Sequence, residues 1–438
     1  MTLYCERGMK EKRNPFPRTF WLANTVEVFE RFTFIGIFLT LGIYTEHLGF
    51  NKAQLGAVQS SFLMISYITP VISGTFADKI GFKKMIIISC LAYLPSTLLL
   101  IVTETYSGIA LTMLNFGLAA GIFKPLIAGT IRAVTDNTNK TFGFGIFYVA
   151  QNIGATFGPI VFGNLRAISW KYAFFAAAIS VVFMLLSTIF LYKEPPRELE
   201  AQTLKQNFKE IINLFRNIRL TILLVLAGVL IWLPFWSVFN VLALYIEKNL
   251  DTVKLYLDLK CVLGTTLANY FSHVDGGGTR RLLGETIANT AFFVMFFQLF
   301  VSKAVERLRA TPAFLFGMLI QASGCLVIGI ARISIPTWVF LGIFLFAVGE
   351  MITIPRLQEF IIWLAPKERA GLFMGANCLC VGIGAGLSGV IYTTLYGHFR
   401  NQDHPEYIWY TFCIHLVIGI LILFLFARLA GELKEEKE

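Results

Sequence analysis

Apolar residues in this chain gather into long runs separated by short polar breaks. Twelve such runs, each about 20 or more residues long as a bilayer crossing demands, cover approximately 20–46, 52–77, 84–103, 107–133, 143–164, 170–192, 219–246, 283–305, 312–331, 337–364, 370–397 and 407–430. The pattern predicts an all-α membrane protein with twelve transmembrane helices. The breaks alternate in charge. With the amino terminus placed in the cytoplasm, breaks and tails on that side hold 24 Lys and Arg, against ten on the other, five of those in the long 247–282 stretch. Basic residues collect on cytoplasmic loops, so the bias predicts that both termini are cytoplasmic.

The most charged break, 193–218, begins Lys193-Glu-Pro-Pro-Arg-Glu and divides the runs six and six. It predicts an amino-terminal six-helix bundle over 1–192 and a cytoplasmic linker over 193–218, with an amphipathic helix around Leu204–Phe215. A carboxy-terminal bundle over 219–438 carries the exterior loop 247–282. Within that loop, Asp275-Gly-Gly-Gly-Thr-Arg-Arg lacks the Gly-Lys-Ser/Thr ending of a phosphate loop and reads as a flexible stretch.

Composition changes this picture little. Of 438 residues, 56% are hydrophobic and 15% charged, against about 25% charged in soluble domains. The net charge of +10 follows from the loop bias and calls for no nucleic acid. The first eighteen residues are polar and basic, and the run after them is long enough to span and stay, unlike a signal peptide. Most of the seven cysteines lie in apolar runs; Cys378-x-Cys380 has no second pair and reads as packed helix, with no metal site expected. His47, His273, His398 and His404 fall at exterior ends, and His415 reads as packing inside the last run.

The first run is the exception to the apolar rule. It contains Glu27, Glu30 and Arg31, which share one helical face through i,i+3 and i,i+4 spacing. An ionised group at bilayer depth costs about 2.5–3.5 kcal/mol on insertion scales, so three together require a function or partners. Lys124 and Glu350 are also intramembrane. With a rise of about 1.5 Å per residue, Glu30, Lys124 and Glu350 reach similar depths in the inner half, where they could face one another. Three carboxylates then meet two cations, and one carboxylate can carry a shuttling proton.

Several motifs carry a resemblance. Two six-span halves joined by a linker, with Gly74-Thr-Phe-Ala-Asp78-Lys-Ile-Gly81-Phe-Lys83-Lys84 after the second span, resemble the major facilitator superfamily, whose solutes bind near the midplane between halves. The loop motif implies a conformational latch at Gly74, Asp78, Gly81, Lys83 and Lys84. More narrowly, Glu27-x-x-Glu30-Arg31-Phe32, Gly121-Ile-Phe-Lys124-Pro125, Phe147-Tyr148-Val-Ala-Gln-Asn152-Ile-Gly154, Phe235-Trp236 and Gly349-Glu350…Pro355…Leu364-Ala365-Pro366 resemble helices 1, 4, 5, 7 and 10 of the proton-dependent oligopeptide transporter family. The chain is identified as a divergent member.

That resemblance implies proton coupling at Glu27, Glu30 and Arg31, and substrate binding by Lys124 and Glu350. Tyr148, Asn152, Trp236 and Asn240 are candidate cavity-lining groups. The implied activity is proton-coupled symport of di- or tripeptides, or a similar small polar solute, by alternating access. No cofactor is implied beyond the proton, and the expected form is a monomer in a cell membrane. Phe38 and Asn240 stand where the family commonly pairs an arginine with a glutamate as an exterior gate. A proton-antiport exporter of drugs, sugars or other metabolites is the alternative. A receptor or lipid enzyme is disfavoured, because no interfacial His, Asp or Ser constellation has motif spacing.

Overall fold

The computed structural model describes residues 14–136, 139–195, 209, 216, 218–305, 308–363 and 370–429, with side chains inside these helices left undescribed at 75, 78, 140–142, 218–220, 310, 358–363 and 370–376. Helices α1 (Arg18–His47), α2 (Lys52–Ile80), α3 (Phe82–Val102), α4 (Tyr106–Ala133), α5 (Lys140–Ile168) and α6 (Trp170–Leu191) form the first half. The second half opens with α7, a composite of Ile218–Ala227, a π-helical turn Gly228–Trp232, and Leu233–Asn249. After an insertion at the opposite end of α7 come α9 (Ala291–Val305), α10 (Ala310–Ile333), α11 (Trp338–Trp363), α12 (Ala370–Ser388, a π turn Gly389–Thr393 and Thr394–Asn401) and α13 (Tyr407–Leu429).

Among the described residues, eleven helices are long and apolar enough to cross a membrane. The twelfth is α1, 30 residues long, whose charged triplet lowers its hydropathy without shortening it. The predicted amphipathic helix at Leu204–Phe215 lies outside the described residues apart from Lys209. Helix starts follow local chemistry. The Asn51 side chain accepts the Gln54 N–H at 2.9 Å while Gln54 accepts the Asn51 N–H at 3.0 Å, a reciprocal cap that starts α2.

Helix α1 begins at the basic face of the bundle and ends, at His47, at the opposite face. Packing within the first half depends on two glycines. A Cβ on Gly154 would press on the Val28 carbonyl and Arg31 Cβ, and one on Gly158 on the Phe32 carbonyl. Their absence lets α5 and α1 approach at backbone distance, as small-xxx-small pairs do in membranes, which brings the charged turn of α1 against α5.

His415 does more than pack. Its Nε2–H donates to the Val229 carbonyl at 3.0 Å, and its Nδ1 hydrogen-bonds the Tyr392 hydroxyl. Val229 lies in the π turn of α7 and Tyr392 in that of α12. A π turn leaves a carbonyl outside the regular ladder, and α13 satisfies one with an imidazole.

The 247–282 stretch also departs from expectation. It is not a flexible loop but a helical segment, α8 (Thr252–Tyr270), broken by a kink at Gly264, followed by strands β1 (Ser272–Val274) and β2 (Arg280–Leu282). The strands pair antiparallel, His273 opposite Arg281. The Asp275-Gly-Gly-Gly run is the hairpin turn: Asp275 Oδ1 accepts the N–H groups of Gly277 and Thr279, and Gly278 takes φ +77°, which glycine adopts without penalty. Tertiary bonds hold the insertion down. Asp258 accepts the Thr337 hydroxyl, and the Tyr270 carbonyl accepts Asn164 Nδ2 at 2.7 Å.

Candidate functional site

The charged turn of α1 is folded inward. Glu30 is fully buried and Glu27 nearly so. Arg31 Nε donates to Glu27 Oε1 at 3.0 Å and lies 2.9 Å from Glu30 Oε2. The remaining lone pairs draw donors from other helices: Tyr93 of α3 donates to Glu30 Oε1 at 2.6 Å, and Gln151 of α5 donates to Glu27 Oε1 at 2.8 Å. Two carboxylates thus share one guanidinium in a dry setting, each supported by a neutral donor. Removing one partner of such a buried set costs several kcal/mol because a bare charge remains. The arrangement can accept or release a proton, since the triplet carries one negative charge more than its cation balances.

Lys124 and Glu350 are not brought into a pair. Lys124 Nζ donates to the carbonyl and hydroxyl of Ser66, each at 3.1 Å, and lies 3.3 Å from the Tyr67 ring centroid and 5.3 Å from that of Phe34. A cation over an aromatic face is stabilised by the ring quadrupole. Glu350, on α11, accepts the Thr290 hydroxyl at 2.7 Å. Among the described residues neither makes an ion pair, although the two charges are opposite in sign and come from different halves.

An aromatic series runs from the Lys124 side towards Glu350. The Tyr67 ring lies 5.4 Å from Trp236, Trp236 5.5 Å from Phe235, and Phe235 6.4 Å from Phe346, which is four residues before Glu350 on α11. Trp236 is only 7% exposed, and its indole N–H has no partner among the described residues.

The other expected lining groups divide. Tyr148 is 40% exposed and its hydroxyl lies 3.4 Å from Gln298 of α9, across the two halves. Asn152 donates its amide to the Tyr148 carbonyl of its own helix at 2.8 Å. Asn240 sits in the seam between halves instead: its Nδ2 donates to Ser388 Oγ at 2.8 Å, and its carbonyl accepts Gln59 Nε2 at 3.0 Å. Phe38 faces Trp236 edge-on at 5.7 Å. These two positions therefore close the seam with an aromatic contact and amide bonds.

At the loop expected to act as a latch, Gly81 has φ +111° and ends α2. The start of α3 is held by Glu194, whose carboxylate accepts the N–H groups of Phe82 and Lys83 at 2.8 Å, an anion at the positive end of a helix. Lys83 Nζ donates to the Ile189 carbonyl at 2.9 Å, and Lys84 is exposed. Gly74 has open space around it, and the Asp78 side chain lies outside the described ones. At α11, Arg356 donates to the Val305 carbonyl at 2.6 Å.

The ion pairs that join the halves lie outside the residues that motif spacing singles out. At the opposite face, Arg166 of α5 pairs with Glu247 of α7 at 2.8 Å and with Glu285 in the turn Gly284–Ile287 before α9. Nearby, Glu46 of α1 binds Arg400 of α12 at 2.9 Å and also contacts Lys52 and Lys248. Such residues look like ordinary loop-end charges in a sequence. Only their convergence from distant segments distinguishes them.

A family model described as Major Facilitator Superfamily matches residues 20–273. Among curated proteins, Quinolone resistance protein NorA of Staphylococcus aureus strain MRSA252 is 28% identical over 163 residues, 36% of this chain and 42% of that protein; the chain therefore spans less than half the length of such relatives. Among solved structures, the nucleoside transporter NupG superposes with a TM-score of 0.75 at 14% identity, covering 93% of this chain and 99% of that one. Tetrameric PepTSo2 gives 0.75 at 17% identity over 95% and 99%. A POT family transporter in complex with a thioalcohol conjugated peptide gives 0.72 at 19% over 95% and 97%. At these identities the superpositions speak for the fold.

Proposed function

The chain belongs to the Major Facilitator Superfamily, and on that premise we propose that it is a proton-coupled symporter of di- or tripeptides or a similar small zwitterionic solute. The observation that carries the reading is the pair of unpaired opposite charges, Lys124 in one half and Glu350 in the other, at the two ends of an aromatic series. A solute with a carboxylate at one end and an ammonium at the other would satisfy both charges, and its apolar middle would lie on Tyr67, Trp236 and Phe235. The orphan Trp236 N–H offers a donor to a carbonyl between those ends.

Glu27, Glu30 and Arg31 form the coupling group in this reading. A proton moving through 100 mV releases about 2.3 kcal/mol, enough to bias an alternating-access cycle. One chain holds both halves and hence a complete site, which supports a monomeric transport unit. The loop-charge bias supports a cell membrane location with the basic face in the cytoplasm.

The second reading is proton-antiport export, favoured by the sequence match to a protein described as a quinolone resistance protein. Transport in liposomes with a defined pH gradient separates the two. Symport requires peptide accumulation on the alkaline side; accumulation on the acidic side supports the exporter. With Glu30→Gln, gradient-driven accumulation is expected to vanish while substrate counterflow persists. A Glu30→Gln protein that still concentrates solute under a pH gradient removes the coupling role.

A further inference from the structure

Both halves meet at the opposite face through charges that the central site does not use. Arg166 belongs to the first half; Glu247 and Glu285 belong to the second. Arg166 Nη2 lies 2.8 Å from Glu247 Oε2 and 2.8 Å from Glu285 Oε2, its Nε bonds Glu285 Oε1, and its guanidinium lies 5.3 Å from the Trp170 ring centroid. Glu285 is fully buried, and the side chains of Arg166 and Glu247 are 9% and 19% exposed. Glu247 Oε2 also accepts the Gly284 N–H at 3.1 Å, which ties the turn carrying Glu285 to the end of α7. Gly163, one turn before Arg166, leaves the space that the Glu285 carboxylate fills. The neighbouring bond from Asn289 to the Ala155 carbonyl joins the same elements a few turns deeper.

We propose that Arg166, Glu247 and Glu285 are the exterior lock of the transport cycle: they hold α5 against α7 and the start of α9, and the cavity opens to the opposite face only when all three separate. The physical reason is the placement of the charges. A bidentate guanidinium–carboxylate pair is geometrically demanding, and separating it across the halves strands a buried cation on one side and two carboxylates on the other. That expense falls wholly on the outward-open state, because within either half nothing in the cluster changes. The lock stands away from the seam at Phe38 and Asn240, which has no charge to break. This inference requires alternating access but no particular cargo.

The test is a distance measurement on the full chain in lipid nanodiscs. Spin labels would be placed at Ile168→Cys and Ile335→Cys, exposed positions at the opposite face of the first and second halves, with the exposed Cys261 replaced by Ser. In the parent protein the closed separation is expected to dominate. In Arg166→Gln and in Glu285→Gln, the ratio of long to short separation is expected to rise at least about tenfold, a shift of about 1.4 kcal/mol. Should either protein fail to elute as a folded monodisperse species, Glu247→Gln, which removes only the more exposed arm, is expected to give a smaller rise in the same direction. Unchanged distance distributions in folded variants would overturn the proposal and reduce the cluster to a structural staple. Because no substrate enters the measurement, a wrong cargo assignment leaves its result intact.

Discussion

The hydrogen bond from Tyr93 to Glu30 offers a direct reading of the charge carried by the α1 cluster. The bond is 2.6 Å long, Glu30 is fully buried and Tyr93 is about as deep, so no water is expected to take the place of a lost hydroxyl. A hydrogen bond to a charged group contributes about 1.5–3 kcal/mol, whereas a neutral one contributes about 0.5–1.5 kcal/mol. Tyr93→Phe removes the hydroxyl and keeps the ring, which packs edge-on against Phe116 at 4.9 Å. If Glu30 is ionised in this state, Tyr93→Phe should cost about 1.5–3 kcal/mol in the parent protein but only about 0.5–1.5 kcal/mol in a Glu30→Gln background. Equilibrium unfolding of the four proteins in mixed micelles gives both differences. Equal losses in the two backgrounds would refute the reasoning, because they would mean that the bond from the Tyr93 hydroxyl has no charge assistance.

Two further outcomes follow from the same geometry. Lys124→Ala or Glu350→Ala should each weaken substrate binding by about 10- to 100-fold, the worth of one charge-assisted bond, measured by ligand-induced thermal shift or calorimetry; unchanged affinity removes that residue from the site. In the β1–β2 hairpin, burial and then the nearby Arg166 guanidinium push the His273 imidazole below its ordinary value. The folded hairpin therefore favours the neutral ring, its stability is complete above about pH 6.5, and it declines as pH falls through that value towards the lower folded one. The protection factors of the 272–282 amides, taken relative to the intrinsic exchange rate at each pH, should fall between pH 7.5 and pH 5.5, and His273→Gln should flatten the response; protection factors independent of pH in the parent protein would contradict it.

Much of this architecture is legible in the order of residues alone. Apolar runs longer than a bilayer is thick, punctuated by basic breaks on one face, leave few alternatives to a helical bundle, because lipid cannot satisfy a backbone that does not satisfy itself. The triplet Glu27, Glu30 and Arg31 is likewise readable, since helical spacing alone puts the three on one face. What spacing cannot convey is partnership between distant segments. Depth along the helices suggested that Lys124 faces Glu350; tertiary packing gave Lys124 to Ser66 and Tyr67, and Glu350 to Thr290.

The same limit hid Tyr93 and Gln151 behind the first-helix cluster, Glu194 at the start of α3, and the helix and hairpin in the 247–282 stretch. That stretch is held by Thr337, Asn164 and a glycine turn rather than by an apolar period. It also hid Arg166, whose two carboxylates lie 81 and 119 positions away in the chain. A sequence determines which groups must avoid lipid or find a partner there. Which partner each finds depends on how closely helices approach, and at Gly154, Gly158 and Gly163 that approach is set by missing side chains whose effect exists only in the folded bundle.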